Sequence, residues 1–220
     1  MNLDNYHKKL KFIEKITSNV THEINNVFSI INEYSGMLED KLILAQETGE
    51  LDLEKLITCK EKIVNQLSRG KNQNKLLNEF SHSVMLESQS YNLHSTLVNF
   101  LALINRIIKN HEMELRYSSF SEDIITEFNL LDFQMELFSI IDLLISSSVP
   151  HTYLDIRIIP HNEDNIILEL KSEFKESDSK NKIIEMIDAI NKENNSKILF
   201  SFSQTGQFNI VKIIFKNTGV

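Results

Sequence analysis

Hydrophobic residues recur in steps of three and four from near the start of the chain. Ile13, Ile16, Val20, Ile24, Val27, Ile31, Tyr34, Leu38 and Leu42 trace one stripe. That spacing matches the 3.6-residue period of an amphipathic helix and predicts one helix over about 3–46. Forty-odd residues rising 1.5 Å each span roughly 60 Å, a length that needs a partner along it. The stretch ETGELD, residues 47–52, predicts a turn, with Gly49 as a helix C-cap and Asp52 as the next N-cap. A second stripe of Leu53, Leu56, Ile63, Val64, Leu67, Leu77, Phe80 and Val84 predicts a helix over about 53–86. Together they make an antiparallel hairpin. One hairpin buries its apolar faces poorly, whereas two make a four-helix bundle, so the pattern predicts a homodimer.

The rhythm changes after Gln89. A helix of about 20 residues, YNLHSTLVNFLALINRIIKNHE, precedes a strand, MELRYSSF, and a strongly apolar helix, FNLLDFQMELFSIIDLLISSS. YLDIRIIP and NIILELKSEF then read as a hairpin joined by HNED, SKNKIIEMIDAINKEN as a helix, and KILFSFSQTGQFNIVKIIFK as a second hairpin around QTGQ. The fold class is therefore α+β, with a helical hairpin at 1–89 and a helix-on-sheet domain at 90–220.

Composition narrows the functions open to this chain. It has 220 residues, 41% hydrophobic, enough for one sizeable core or two small ones. A net charge of -8 argues against nucleic acid as a partner. The single cysteine, Cys59, excludes a disulfide framework and any multi-cysteine metal site, and is expected to be a packing residue. No apolar run approaches the ~18 residues of a membrane span, and the first residues lack a signal-peptide core, so a cytoplasmic protein without membrane contact is expected.

Candidate chemistry concentrates in THEINN, residues 21–26. His22 lies nine residues past Ile13, half a turn round from the stripe, with Ser18, Asn25, Asn26 and Ser29 on its side and Glu23 beside it. Three readings compete. A metal site wants HExxH, and the second His is missing. An ordinary solvated helix face is what periodicity alone favours. The third is a phosphoryl acceptor: a neutral imidazole is nucleophilic near pH 7, and an adjacent carboxylate can take its proton or orient the ring. His7, His82, His94, His111, His151 and His161 show no paired ligand spacing.

THEINN resembles the H-box of bacterial sensor histidine kinases: a His, an acidic residue, an aliphatic residue, then Arg or Asn, then Asn or Thr. The Pro that usually follows is Val27 here, which predicts a straighter helix. Its place, early in a long hairpin before an α+β domain of about 130 residues, extends the resemblance over nearly the whole chain. The resemblance implies His22 as phosphoacceptor, Glu23 as acid/base partner and Asn26 as the amide that positions water in a phosphatase motif; a plain exposed amide is the alternative for Asn26.

The chain departs from that family where nucleotide should bind. The N-box, Asn-Leu-Leu-x-Asn-Ala, is matched by DLLISS, with Asp142 and Ser146 in the two Asn positions. The glycines stand at 36, 49, 70, 206 and 219, so none falls in the nucleotide loops, where exposed backbone N–H groups would cradle phosphate. The lid is cut to a few residues. This combination resembles histidine phosphotransferases built on a degenerate kinase architecture, the ChpT type. It implies no intrinsic cofactor, receiver domains of response regulators as partners, an upstream hybrid kinase as a further partner, and Mg²⁺ supplied by the receiver. Opposite His22 the second helix is unusually polar, SRGKNQNK over 68–75. That predicts a docking surface of Ser18, Asn25, Ser29, Asn72 and Lys75; a bend at Gly70 is the alternative. The rival functions are an inactive kinase relative serving as scaffold or inhibitor, a response-regulator phosphatase using Glu23 and Asn26, and, third, an ATP-dependent kinase.

Overall fold

The computed structural model describes residues 3–84, 88–121, 123–162, 165–174, 179–193 and 198–216. The chain divides into two compact units, Met1–His82 and Ser83–Val220. The sequence reading put this boundary after residue 89.

The first unit is the helical hairpin, with α1 at Leu3–Thr48 and α2 at Leu53–Ser83. α1 runs unbroken through Val27, as the absence of a proline there allows. The turn follows its sequence signals. Gly49 adopts φ 77°, which glycine takes without strain, and its N–H donates to the Ala45 carbonyl at 2.9 Å. Asp52 Oδ1 accepts from the Lys55 N–H at 3.1 Å and Oδ2 meets Lys55 Nζ at 2.7 Å. These bonds to Lys55 hold the Asp52 carboxyl below its ordinary range.

Phe12, Ile16, Val20 and Val27 of α1 are buried, as are Cys59, Leu76 and Phe80 of α2. Phe12 and Phe80 meet edge to face with centroids 5.6 Å apart. Gly70 faces Val27 so closely that an added Cβ would lie 3.1 Å from Val27 Cγ1. Gly70 therefore marks a close helix–helix approach within a continuous α2. Gly70→Leu should destabilise the hairpin by about 1–3 kcal/mol through overpacking. Gly70→Ala should be near neutral, since ~1 kcal/mol of helix propensity offsets the small shift asked of Val27. Denaturant unfolding followed by helical circular dichroism separates the two.

The predicted stripe splits in two. Ile16, Val20 and Val27 are buried, but Ile13, Ile24 and Ile31 are only half-buried, and Leu53, Val64 and Leu67 are exposed. A single helix partner covers a narrower arc than the hydrophobic pattern spans.

The second unit is α+β. Its elements are β1 (Gln89–Asn92), α3 (Leu93–Asn110), β2 (Glu114–Ser119), β3 (Ile125–Phe128), α4 (Leu130–Ser146), β4 (Tyr153–Asn162), β5 (Asn165–Glu173), α5 (Ser179–Glu193), β6 (Ile198–Thr205) and β7 (Phe208–Lys216). Five strands form one sheet in the order β2-β4-β5-β7-β6, parallel between β2 and β4 and otherwise antiparallel. Alternate residues bury one face of it: Leu154, Ile156 and Ile158, Leu168 and Leu170, Val211, Ile213 and Phe215. α3 and α4 bring Leu97, Phe100, Ile104, Ile108, Leu137, Ile141 and Leu144 to the same core. Phe133 packs against Phe128 at 4.7 Å and Phe215 at 5.6 Å.

The sequence pattern missed β1 and β3, which pair antiparallel with Tyr91 opposite Thr126. Four residues carry too little alternation to be read. Each leads into a helix capped by an Asn: Asn92 Oδ1 accepts from the Ser95 N–H at 2.9 Å, and Asn129 Oδ1 from that of Asp132 at 3.0 Å. The QTGQ turn forms with Gly206 at φ 58°. The last two residues of HNED and residues 175–178 lie outside the described residues.

Candidate functional site

His22 sits midway along α1 and is exposed. Ser18, Asn25, Asn26 and Ser29 are exposed as well, so the polar face read from the sequence is present. Ser29 Oγ donates back to the Asn25 carbonyl at 3.0 Å.

Glu23 is placed differently from the sequence reading, which put it on the outer face beside His22. It is 7% exposed and belongs to the buried seam, between Val20 and Val27. Its carboxylate is bonded to the guanidinium of Arg69 on α2, an ion pair that bridges the two helices. The physical reason lies in the spacing 12, 16, 20, 23, 27, which is the inward-facing rhythm of α1. A carboxylate there is costly unless it is paired and hydrogen-bonded. The requirement could have been read in advance: an acidic residue at a seam position demands a cation on the facing helix, and SRGK supplies one.

The pairings Phe12–Phe80, Glu23–Arg69 and Val27–Gly70 set the register of the hairpin. They place His22 level with residues 70–75, close to the height expected from the turn. Counted at 100° per residue from the seam, Arg69 and Asn72 turn to the same side of the hairpin as His22, and Lys75 to the back. Asn72 is exposed, and Lys75 Nζ lies 3.7 Å from Glu79 Oε1. Lys75 thus stands off the face on which it was grouped with His22.

In the second unit the two N-box positions lie near the end of α4. Ser146 is exposed and donates its hydroxyl to the Leu143 carbonyl at 3.1 Å, back into its own helix. Asp142 is half-buried. At one end of the sheet Ser172 and Asn209 are fully buried and paired in register, and Gln204 donates to Asn209 Oδ1 at 3.1 Å. Among the described residues no group of three or more His, Cys, Asp or Glu could hold a metal ion. No described helix is long and apolar enough to cross a membrane.

The α/β part of the chain resembles in fold the catalytic domain of histidine kinases. The catalytic domain of histidine kinase ThkA superposes on 60% of this chain and 97% of its own length, with a TM-score of 0.52 and 10% identity. ThkA in complex with the response regulator TrrA matches 99% of this chain and 67% of that one, with a TM-score of 0.51 and 14% identity. In sequence, the sensor protein kinase WalK of Staphylococcus saprophyticus is 23% identical over 154 residues, 70% of this chain. The chain spans about a quarter of that relative, 24% of its length. No family model matches the chain.

Proposed function

We propose that this chain is a histidine phosphotransfer protein of a two-component phosphorelay, passing a phosphoryl group between receiver-domain aspartates through His22. One observation carries this reading: an exposed His stands on a two-helix hairpin, next in sequence to a unit of histidine-kinase-like fold. The kinship to kinases, one of them solved with a response regulator, points to the same class of partner. The reaction balances without a nucleotide. A ring nitrogen of neutral His22 attacks the phosphorus of an aspartyl phosphate as the P–O bond breaks and the electron pair leaves on the aspartate. The proton on the other ring nitrogen passes to a base, the role proposed for Glu23 once its carboxylate is available. Mg²⁺ held by the receiver stabilises the transferring group, and the hairpin supplies orientation.

The active form proposed is a homodimer. Tyr6, Leu10, Phe28 and Leu42 of α1, with Leu53, Ile57 and Val64 of α2, are exposed on a side away from His22. Pairing two such faces completes a four-helix bundle and leaves both His22 faces open to Ser18-, Asn25-, Ser29- and Asn72-mediated docking.

A second reading has its own observation. Glu23 is engaged with Arg69 while Asn26 is exposed on the His22 face, an arrangement that suits a scaffold or a phosphatase that positions water with Asn26. Incubation with one phosphorylated receiver and a second, unphosphorylated one decides between them. A relay moves label to the second receiver through the chain; a phosphatase releases inorganic phosphate; a scaffold does neither.

The protein is expected to bind ATP no more tightly than millimolar, because Asp142 and Ser146 replace the N-box amides and no glycine stands between residues 71 and 205. Titration calorimetry with Mg²⁺-ATP checks this; a micromolar Kd would restore the kinase reading.

A further inference from the structure

A sheet with one face on the core normally carries polar residues on the other. The outer face of the five-stranded sheet keeps to that rule except in one row. Register aligns Ile159 with Ile167, Ile167 with Ile214 and Ile214 with Leu199, across β4, β5, β7 and β6. β2 adds Phe120, whose N–H extends the ladder to the Ile158 carbonyl at 3.3 Å. Alternation turns this row away from the buried Ile158, Leu168, Ile213 and Phe200. Its ends stand open, with Phe120 52% and Leu199 37% exposed, and Ile159 and Ile214 are half-buried beside the covered Ile167. The next row is charged, with Arg157, Glu169 and Lys212 in register. Its charges are layered. Arg157 is ion-paired with Asp155, at side-chain exposures of 54% and 8%, and Lys212 Nζ lies 3.6 Å from Glu169 Oε2, the more covered of that pair. Two further cations on this face are laid on rings, Arg116 over Tyr153 and Lys171 over Phe208, each 4.0 Å from the centroid. An apolar row is thus bordered by two outward-standing cations, on a chain whose net charge is -8. Exposed apolar strips with a polar rim mark binding surfaces.

We propose that this row docks an amphipathic helix of a partner protein, with acidic side chains on the flank that meets Arg157 and Lys212. A helix suits the surface better than an extended peptide. The face of a sheet offers no backbone groups, so an extended segment laid across it would leave its own N–H and C=O groups against apolar side chains. A helix satisfies its backbone internally. The row crosses four strand spacings, about 19 Å, the length of roughly 13 helical residues. Apolar residues at i, i+4, i+7 and i+11 cover that span. Arg157 and Lys212 stand two strand spacings apart, about 9.6 Å, which two acids seven residues apart match at about 10.5 Å. The apolar row supplies the buried area, and the cations set orientation and reject basic helices. His22 takes no part, so the docking is independent of phosphotransfer.

The probe is a labelled helical peptide with Leu at i, i+4, i+7 and i+11 and Glu at i+3 and i+10, both on one flank, set against a control with Lys at those two positions. Fluorescence anisotropy on the 220-residue chain measures binding. The Glu peptide should bind at least about tenfold tighter than the Lys peptide at low salt, and the gap should narrow as salt is added. The double variant Phe120→Ser/Leu199→Ser, at the two exposed ends of the row, should weaken the Glu peptide by about tenfold or more. Lys212→Gln should shrink the preference for Glu over Lys. Circular dichroism confirms that each variant is folded, and methyl spectra should shift at Ile159, Ile214 and Leu199 when the Glu peptide is added. Equal binding of the two peptides, no binding of the Glu peptide, or unchanged affinity in the folded double variant overturns the proposal. So do methyl shifts confined to the helical hairpin. Shifts in the same methyls on raising the concentration of the chain alone would make the occupant a second copy, which also overturns it. Binding to phosphatidylglycerol vesicles that is lost in the double variant, with no binding of the Glu peptide, would make the row a membrane contact and overturn it as well.

Discussion

His22→Gln should abolish uptake of label from a phosphorylated receiver while leaving the melting of the protein nearly unchanged. Gln retains the length and polarity of the side chain and lacks a nucleophilic ring nitrogen. His22 is exposed, whereas Phe12, Ile16, Val20 and Val27 of the seam are buried. Substitutions at such helix positions change stability by no more than ~0.5 kcal/mol. A time course on wild type and variant, with the thermal transition measured on the same samples, checks both halves. Residual label in the variant would move the acceptor to another residue. A large drop in melting temperature would mean that His22 is structural.

Phe28→Asp should convert a dimer into a folded monomer. Phe28 is 56% exposed in the single chain, on α1 among other exposed apolar residues. Fully burying such a side chain is worth about 1.5–3 kcal/mol, so covering its remaining half contributes roughly 1 kcal/mol per protomer. An unpaired carboxylate in its place adds a desolvation cost. Counted twice across a two-fold interface, this should weaken dimerisation by at least about a hundredfold, since each 1.4 kcal/mol is tenfold in Kd. Light scattering or sedimentation at micromolar concentration gives the outcome. A wild-type chain that is monomeric and fully folded at that concentration would contradict the bundle.

Much of the fold was legible because its elements are long. The 46-residue α1 and the 31-residue α2 carry enough repeats for their period to stand out. Gly49 and Asp52 mark the turn by backbone conformation and capping, which depend on residue type. β1 and β3 were not legible, because their pairing is set by contacts between Gln89–Asn92 and Ile125–Phe128, more than thirty residues apart, and four residues hold no clear period. The polar face around His22 was read correctly as exposed, since five small or polar residues share it. Glu23 was misplaced because the stripe was anchored on Ile13, which is only half-buried, whereas the true seam runs through Phe12. Shifting the reference by one residue rotates the inward face by 100° and brings Glu23 into it. Arg69 was passed over for the same reason: its partner was assigned to solvent.

The most direct test of the account is to find where phosphate resides on the chain. The 220-residue chain, incubated with a phosphorylated receiver and Mg²⁺ and without ATP, should take up phosphate that is stable in base and labile in acid. Peptide mapping under basic conditions should place it on His22 alone. Phosphate on any other residue, or a chain that binds the receiver and never becomes labelled, would contradict the central claim.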